Sequence, residues 1–242
     1  MAKQEIEIET RDGKAKAGLF RPASAARAGV ILYMDAFGPR PALDHMAERL
    51  AGHGYAVLVP DLFYRNAPYG PFDAKTAFTV EESKTKLMAL VSGTTQEMTI
   101  RDSGAFLDAL SADGIGTIGV VGYCMGGARA LNAAAAHPDR IVAAASLHGG
   151  NLASDAPDSP YRKAASIKAR VYVGTAGVDR SFPPEQSARL AEALRVAEVD
   201  HVIENYVGVG HGWCVPDHSV YDETGAERHW KRLTTFFGET LG

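Results

Sequence analysis

A cysteine set between two glycines, Gly122-Tyr123-Cys124-Met125-Gly126, carries the strongest chemical signal in the 242 residues. The segment has the spacing of a nucleophile elbow, with cysteine where serine is usual, between a Val-rich run and an alanine-rich one. An elbow holds its nucleophile in a strained turn, so Gly122 and Gly126 leave room for backbone and helix to pass closely. The N-terminus of the following helix has a positive partial charge, which favours a thiolate. The plain alternative is a structural cysteine buried at a tight turn. Against it, an acid and a histidine follow in nucleophile, acid, base order: Asp179 after one apolar run and His211 after the next. Asp155, Asp158 and Asp200 are nearby acids, but only Asp179 stands at the end of an apolar run before a Pro-started helix. Of the eight histidines, His211 combines a strand end, a glycine-flanked loop and the correct order, whereas His137 and His229 read as helix-end or helix-surface residues.

The elements that must position these groups follow from the apolar pattern. Ile6 to Thr10 and Lys14 to Phe20 flank Arg11-Asp12-Gly13, a hairpin signal, so the chain begins with two antiparallel strands. Short continuous apolar runs follow at 30–33, 56–59, 118–121, 141–147, 171–173 and 202–203, the pattern of parallel strands buried on both faces. Helical periodicity lies between them: Leu43, Met46 and Leu50; Ile100, Leu107 and Leu110; Leu190, Ala193, Leu194 and Ala197 after Pro183-Pro184. The order β-β-β-α-β-α-β-α-β-β-α-β-α predicts an α/β fold: a doubly wound, mostly parallel eight-stranded sheet with an antiparallel start and helices on both faces, forming one domain over residues 1–242. Ligands in such sheets bind beyond the carboxyl ends of the strands. Those ends deliver Asp35-Ala36-Phe37-Gly38, Pro60-Asp61-Leu62-Phe63, the Cys124 elbow, His148-Gly149-Gly150, Asp179 and Gly210-His211-Gly212-Trp213.

Composition narrows the function further. The chain is 46% hydrophobic and 22% charged, near the average for globular proteins. A net charge of −4 without a basic stripe argues against nucleic acid and anionic membrane surfaces as partners. The start, Met1 to Ile8, has no apolar leader and no stretch is long enough to span a bilayer, so the expectation is a cytoplasmic protein whose partner is a small-molecule substrate. A monomer or small homo-oligomer is expected, with no cofactor and no metal.

The segment Gly122-Tyr123-Cys124-Met125-Gly126-Gly127, with Asp35 to Gly38, Pro60 to Phe63, Asp179 and His211, resembles the dienelactone hydrolase family of α/β-hydrolases over nearly the whole chain. The resemblance implies Cys124 as nucleophile, His211 as general base and Asp179 as its orienting acid. It also implies an oxyanion hole from the Met125 and Ala36 N–H groups, which the fold's general geometry predicts as well. Family members have a glutamate that touches the resting thiol, and Asp35, one methylene shorter, occupies that position. Arginines hold the substrate carboxylate in dienelactone-cleaving members; here one of those positions is Val215, and only Lys84 and Lys86 lie near the other. Neutral esters or lactones are therefore expected to react at least as well as carboxylated ones, unless Arg40, Arg65, Arg180, Lys84 or Lys86 reaches the pocket.

A thiol nucleophile restricts the substrate. A thiolate leaves a tetrahedral intermediate more readily than an alkoxide does, so activated esters and lactones are favoured over simple esters and amides. The pocket walls are expected from the 62–78 loop, with Phe63, Tyr64, Tyr69, Phe72 and Phe78, and from Phe37, Tyr123, His148 and Trp213. Three other readings compete: zinc at His211, Cys214 and His218, disfavoured by Pro216; a non-catalytic small-ligand binding protein; and a redox thiol with Cys214 as its resolving partner.

Overall fold

The antiparallel start has β1 (Lys3–Thr10) and β2 (Gly13–Phe20) paired with Thr10 opposite Gly13, so Arg11 and Asp12 form the turn. In the computed structural model, which describes residues 3–242, this hairpin joins one eight-stranded sheet of order β1-β2-β4-β3-β5-β6-β7-β8. Met1 and Ala2, the first residues of the segment read for a leader, lie outside the described residues. The strands β3 (Ala28–Tyr33), β4 (Tyr55–Pro60), β5 (Ile118–Tyr123), β6 (Ile141–Leu147), β7 (Arg170–Val178) and β8 (His201–Gly210) run parallel to one another. β2 pairs antiparallel with β4.

Every residue of β3, β4 and β5 is buried, as continuous apolar runs require. Helices cover both faces of these strands. Gly29 and Ile118 are register partners and share a face, so Gly119 points the opposite way. Gly29 lies against Leu110 of α3 (Gln96–Ala112), while Gly119 lies against Phe237 and Leu241 of α6 (Glu223–Leu241). The remaining helices are α1 (Pro41–Gly52), α2 (Glu81–Gly93), α4 (Met125–Ala136) and α5 (Pro184–Val196).

Three elements differ from the sequence-based expectation. The helix α2 was not expected, because only Leu87 and Leu90 of its thirteen residues are buried and so narrow a stripe gives little periodic signal. β7 and β8 extend well beyond their apolar centres, since β8 is the sheet edge and carries exposed and polar residues such as Glu204 and Asn205. His229 is not on a helix surface: it is fully buried in α6, its Nε2 3.1 Å from the Tyr123 hydroxyl, and burial lowers its pKa to about 3. Among the described residues no helix is long and apolar enough to cross a membrane.

Candidate active site

Cys124 occupies the sharp turn between β5 and α4, with φ 55° and ψ −119°, a conformation that side chains rarely adopt. Its neighbours explain how the turn closes. A Cβ on Gly122 would lie 1.9 Å from the Gly126 carbonyl oxygen, and one on Gly126 would lie 2.4 Å from that of Tyr33. Backbone fills both spaces, so glycine is required at each.

Asp179 follows the last residue of β7, and His211 follows the last residue of β8. Parallel pairing of these adjacent strands brings the two together, with His211 Nδ1 2.7 Å from Asp179 Oδ2. Ser181 completes the arrangement: its N–H and hydroxyl donate to Asp179 Oδ1 at 2.8 and 2.6 Å, and its Oγ is 3.2 Å from His211 Nδ1. Burial alone would raise the Asp179 pKa, but the hydrogen bonds from His211 and Ser181 hold it below the ordinary carboxylate value. Burial pulls the His211 pKa down, yet hydrogen bonds to Asp179 and Cys124 outweigh it and push the value up to about 10. With Nδ1 on Asp179, Nε2 is the nitrogen left for Cys124.

Cys124, Asp179 and His211 line one cleft of about 1400 Å³, together with Ala36 and Met125. Met125 is the first residue of α4, so its N–H is one of the donors that a helix leaves without an internal partner. Phe78 and Arg180, both named from the sequence, reach the same cleft, and most of the other site residues named from the sequence lie elsewhere. Asp35 is fully buried; Arg40 Nη1 and Nη2 donate to it at 2.7 and 2.8 Å, and His218 Nε2 is 3.0 Å away. Its described hydrogen bonds go to these groups and to the Phe37 N–H, not to Cys124. Burial opposes the charge on Asp35, but His218 and Arg40 hold its pKa below the ordinary value.

His148 lies beneath the elbow, not on the cleft wall. It is 1% exposed, and its Nδ1 accepts from the Cys124 N–H at 3.1 Å. Burial, reinforced by His211 and His218, takes its pKa well below the usual histidine value, so the neutral ring has its proton on Nε2. Tyr123 and Trp213 are fully buried, and Trp213 stacks on Tyr206 and against His148. Phe37 is buried edge-on against Phe78 and His218. These three side chains fill space behind the site, as large apolar groups at crowded strand ends do. Of the aromatics in the 62–78 loop only Phe78 reaches the cleft. Phe63 and Tyr64 join the core, and Tyr69 and Phe72 line a separate depression.

Met88 and Val91 of α2, Asn151 and Arg129 also line the cleft, and none was anticipated from the sequence. Ser181 could have been found, since Asp-x-Ser is a side-chain-to-backbone turn signal. An arginine inside the alanine-rich stretch after the elbow was the available signal for Arg129. The zinc reading has no support in the geometry: Cys214 is buried in the core and His218 faces Asp35.

The family model described as the dienelactone hydrolase family matches residues 15–241. A carboxymethylenebutenolidase from Rhodococcus opacus is 27% identical over 217 residues, covering 88% of this chain and 81% of that protein. Among solved structures, a Klebsiella pneumoniae chain provisionally assigned as a dienelactone hydrolase superposes with a TM-score of 0.85 at 22% identity, covering 98% of both chains. A dienelactone hydrolase-like promiscuous phosphotriesterase from metagenomic libraries gives 0.77 at 24% identity over the full length of both. With its elbow, its sheet and the family match over almost every residue, the chain belongs to the dienelactone hydrolase family and is a hydrolase of the α/β-hydrolase fold.

Proposed function

We propose that the protein hydrolyses small activated esters or lactones through a thioester on Cys124, with His211 and Asp179 completing a triad. The observation that carries this reading is the convergence on one cleft of a strained elbow cysteine and a histidine whose pKa is pushed up to about 10 by Asp179 and Cys124. Such a histidine holds its proton at neutral pH, and its Nε2 is the nitrogen left for Cys124. Cys124 is half-buried and lines the cleft at the carboxyl end of β5, where a carbonyl can approach.

In the first step the Cys124 thiolate attacks the ester carbonyl carbon, a C–S bond forms, and the π electron pair moves to oxygen. The Met125 and Ala36 N–H groups receive that oxyanion. Collapse breaks the C–O bond, and His211 Nε2 gives its proton to the leaving oxygen. The neutral imidazole then takes a proton from water, which attacks the thioester carbonyl; the thiolate departs and the acid is released. Asp179, fixed by Ser181, keeps the His211 proton on Nδ1 during the neutral stage and stabilises the imidazolium in the charged one. Because the first intermediate expels either oxygen or sulfur, enol and phenyl esters gain most from this site.

Iodoacetamide distinguishes this reading from a structural cysteine. Cys124 should alkylate far faster than the buried Cys214, and hydrolysis of phenyl esters and lactones should fall in step with labelling. Complete alkylation of Cys124 with activity retained would overturn the proposal.

A further inference from the structure

The steps above leave one wall of the cleft without a use. Phe78, just before α2, and Met88 and Val91 of α2 line it. Met88 and Val91 stand three positions apart, so they share a helix face. Phe78 meets the buried Phe37 edge-on, yet 49% of it is exposed. Met88 is 48% exposed and belongs to neither apolar cluster of the described residues. Apolar surface held open to water at the mouth of a cleft is stabilised when an apolar group covers it.

The charged groups around this wall are already engaged. Lys84 and Lys86 pair with Glu81 and Glu82 within α2. Arg129 also lines the cleft, but its Nη2 donates to the Thr94 carbonyl and its Nε and Nη1 are covered by protein. Arg40 is held between Asp35 and Asp217, and Arg65 between Asp12 and Asp102. The opposite wall differs: Asn151, Asp158 and Arg180 line it and are exposed, with Val178 beside them.

Sheet order decides which part of an ester meets which wall. The carboxyl ends run from β3 through β5, β6 and β7 to β8, which places Ala36 on one side of Cys124 and Asn151, Asp179 and His211 on the other. The leaving oxygen faces His211, so the alcohol group lies on the β6 to β8 side. α2 lies on the β3 side, where Leu87, next to Met88, is packed in a small cluster with Ala36, Phe37 and Ala77. With Sγ, the oxyanion and the leaving oxygen placed, the acyl group is the substituent that remains, and the α2 wall is the surface that remains for it.

We propose that Phe78, Met88 and Val91 form an acyl-group subsite, and that the protein acts on esters of apolar acids larger than acetate. The inference rests on the ester-hydrolase reading of the same cleft.

Phenyl acetate, phenyl butanoate and phenyl hexanoate test it, since they share one leaving group and differ in the acyl chain. A fully covered methylene is worth about fourfold, so a wall open on one side should raise kcat/KM from acetate to hexanoate by about tenfold or more. In Met88→Ser and in Phe78→Ser the hexanoate-to-acetate ratio should fall to about a third of the wild-type value or less. The ratio is the readout because any general loss of folded enzyme cancels within it. Lengthening the alcohol side instead, with 4-hexylphenyl acetate against phenyl acetate, should give a smaller gain that Met88→Ser leaves in place. A flat acyl series in the wild type, an unchanged ratio in either serine variant, a larger gain on the alcohol side, or a ratio lost in Val178→Ser instead would overturn the proposal. If the wild type cleaved none of these esters, the ester-hydrolase reading would fail by itself. Calorimetric titration with hexanamide would still decide the subsite: heat in the wild type that disappears in Met88→Ser supports it, and equal heat in both, or none in the wild type, refutes it.

Discussion

Replacing Asp179 by Asn keeps the shape of the site and changes one thing, the direction of a hydrogen bond. The Ser181 N–H and hydroxyl both donate to Oδ1, so the amide oxygen of the variant is drawn to that position and its NH₂ group is left facing His211 Nδ1. Two donors cannot face each other, so the neutral imidazole must carry its proton on Nε2 and present a donor to Cys124. Loss of a hydrogen bond to a charged group is worth about 1.5–3 kcal/mol, or about 10- to 150-fold in rate. The wrong tautomer adds to this, and the combined fall in kcat/KM should lie between about 10² and 10⁴. The pH profile supplies a second readout. With its pKa pushed up to about 10, His211 is protonated below that value and loses its proton above it. Turnover of esters whose leaving group needs a proton should therefore decline as pH rises through about 10, and the decline should begin at lower pH in Asp179→Asn. Steady-state rates on an alkyl lactone and a phenyl ester between pH 6 and about 10.5 would measure both effects. An Asp179→Asn enzyme within about threefold of wild type, with its alkaline limb unmoved, would refute the reasoning.

Cys124→Ser should lose most of its turnover while still binding substrate, because a serine hydroxyl is far less acidic than a thiol and depends wholly on His211 for activation; a serine enzyme as fast as wild type would show that thiol acidity is irrelevant. Gly126→Ala places a methyl group 2.4 Å from the Tyr33 carbonyl oxygen, so the elbow must shift, and both thermal stability and Cys124 alkylation should fall; an unchanged melting temperature and labelling rate would contradict the packing described. Arg40→Met leaves the fully buried Asp35 with His218 as its sole side-chain partner among the described residues and should destabilise the fold by about 3–5 kcal/mol in urea unfolding. Asp35 has a lowered pKa in the fold, so its contribution is complete above the unfolded carboxylate value and is lost as pH falls through the folded one. A native-like urea midpoint for Arg40→Met at pH 7 would count against that ion pair.

The parts of the fold legible in the sequence are those where one residue type answers one local demand. Runs such as Val30 to Tyr33 must be apolar on both sides because helices cover both faces there, so the run itself marks the strand. Gly122 and Gly126 answer to backbone atoms four or five positions away or at the end of the adjacent strand, and no other residue fits. Where the demand is weak the signal fades: α2 buries two leucines and β8 forms an exposed edge, so the first was missed and the second shortened.

The candidate site divides in the same way. Cys124, Asp179 and His211 stand at strand ends, and strand ends are fixed by the local pattern that made the strands readable. What they touch was not readable, because those partners come from distant segments. Asp35, named from the sequence as a group beside the thiol, turns instead to Arg40 and to His218, 183 residues away. That side chain is thus engaged by a network whose members share no spacing in the sequence. His148 shows the reverse case. A histidine at a strand end reads as a candidate for the cleft, yet burial keeps it neutral, and a neutral Nδ1 can accept the Cys124 N–H where an imidazolium could not. The elbow is then held from below by a group whose role depends on its protonation state. That state is set by the side chains packed around it, Tyr123 of β5 and His211, Trp213 and His218 of the loop after β8, and only the folded chain brings them together.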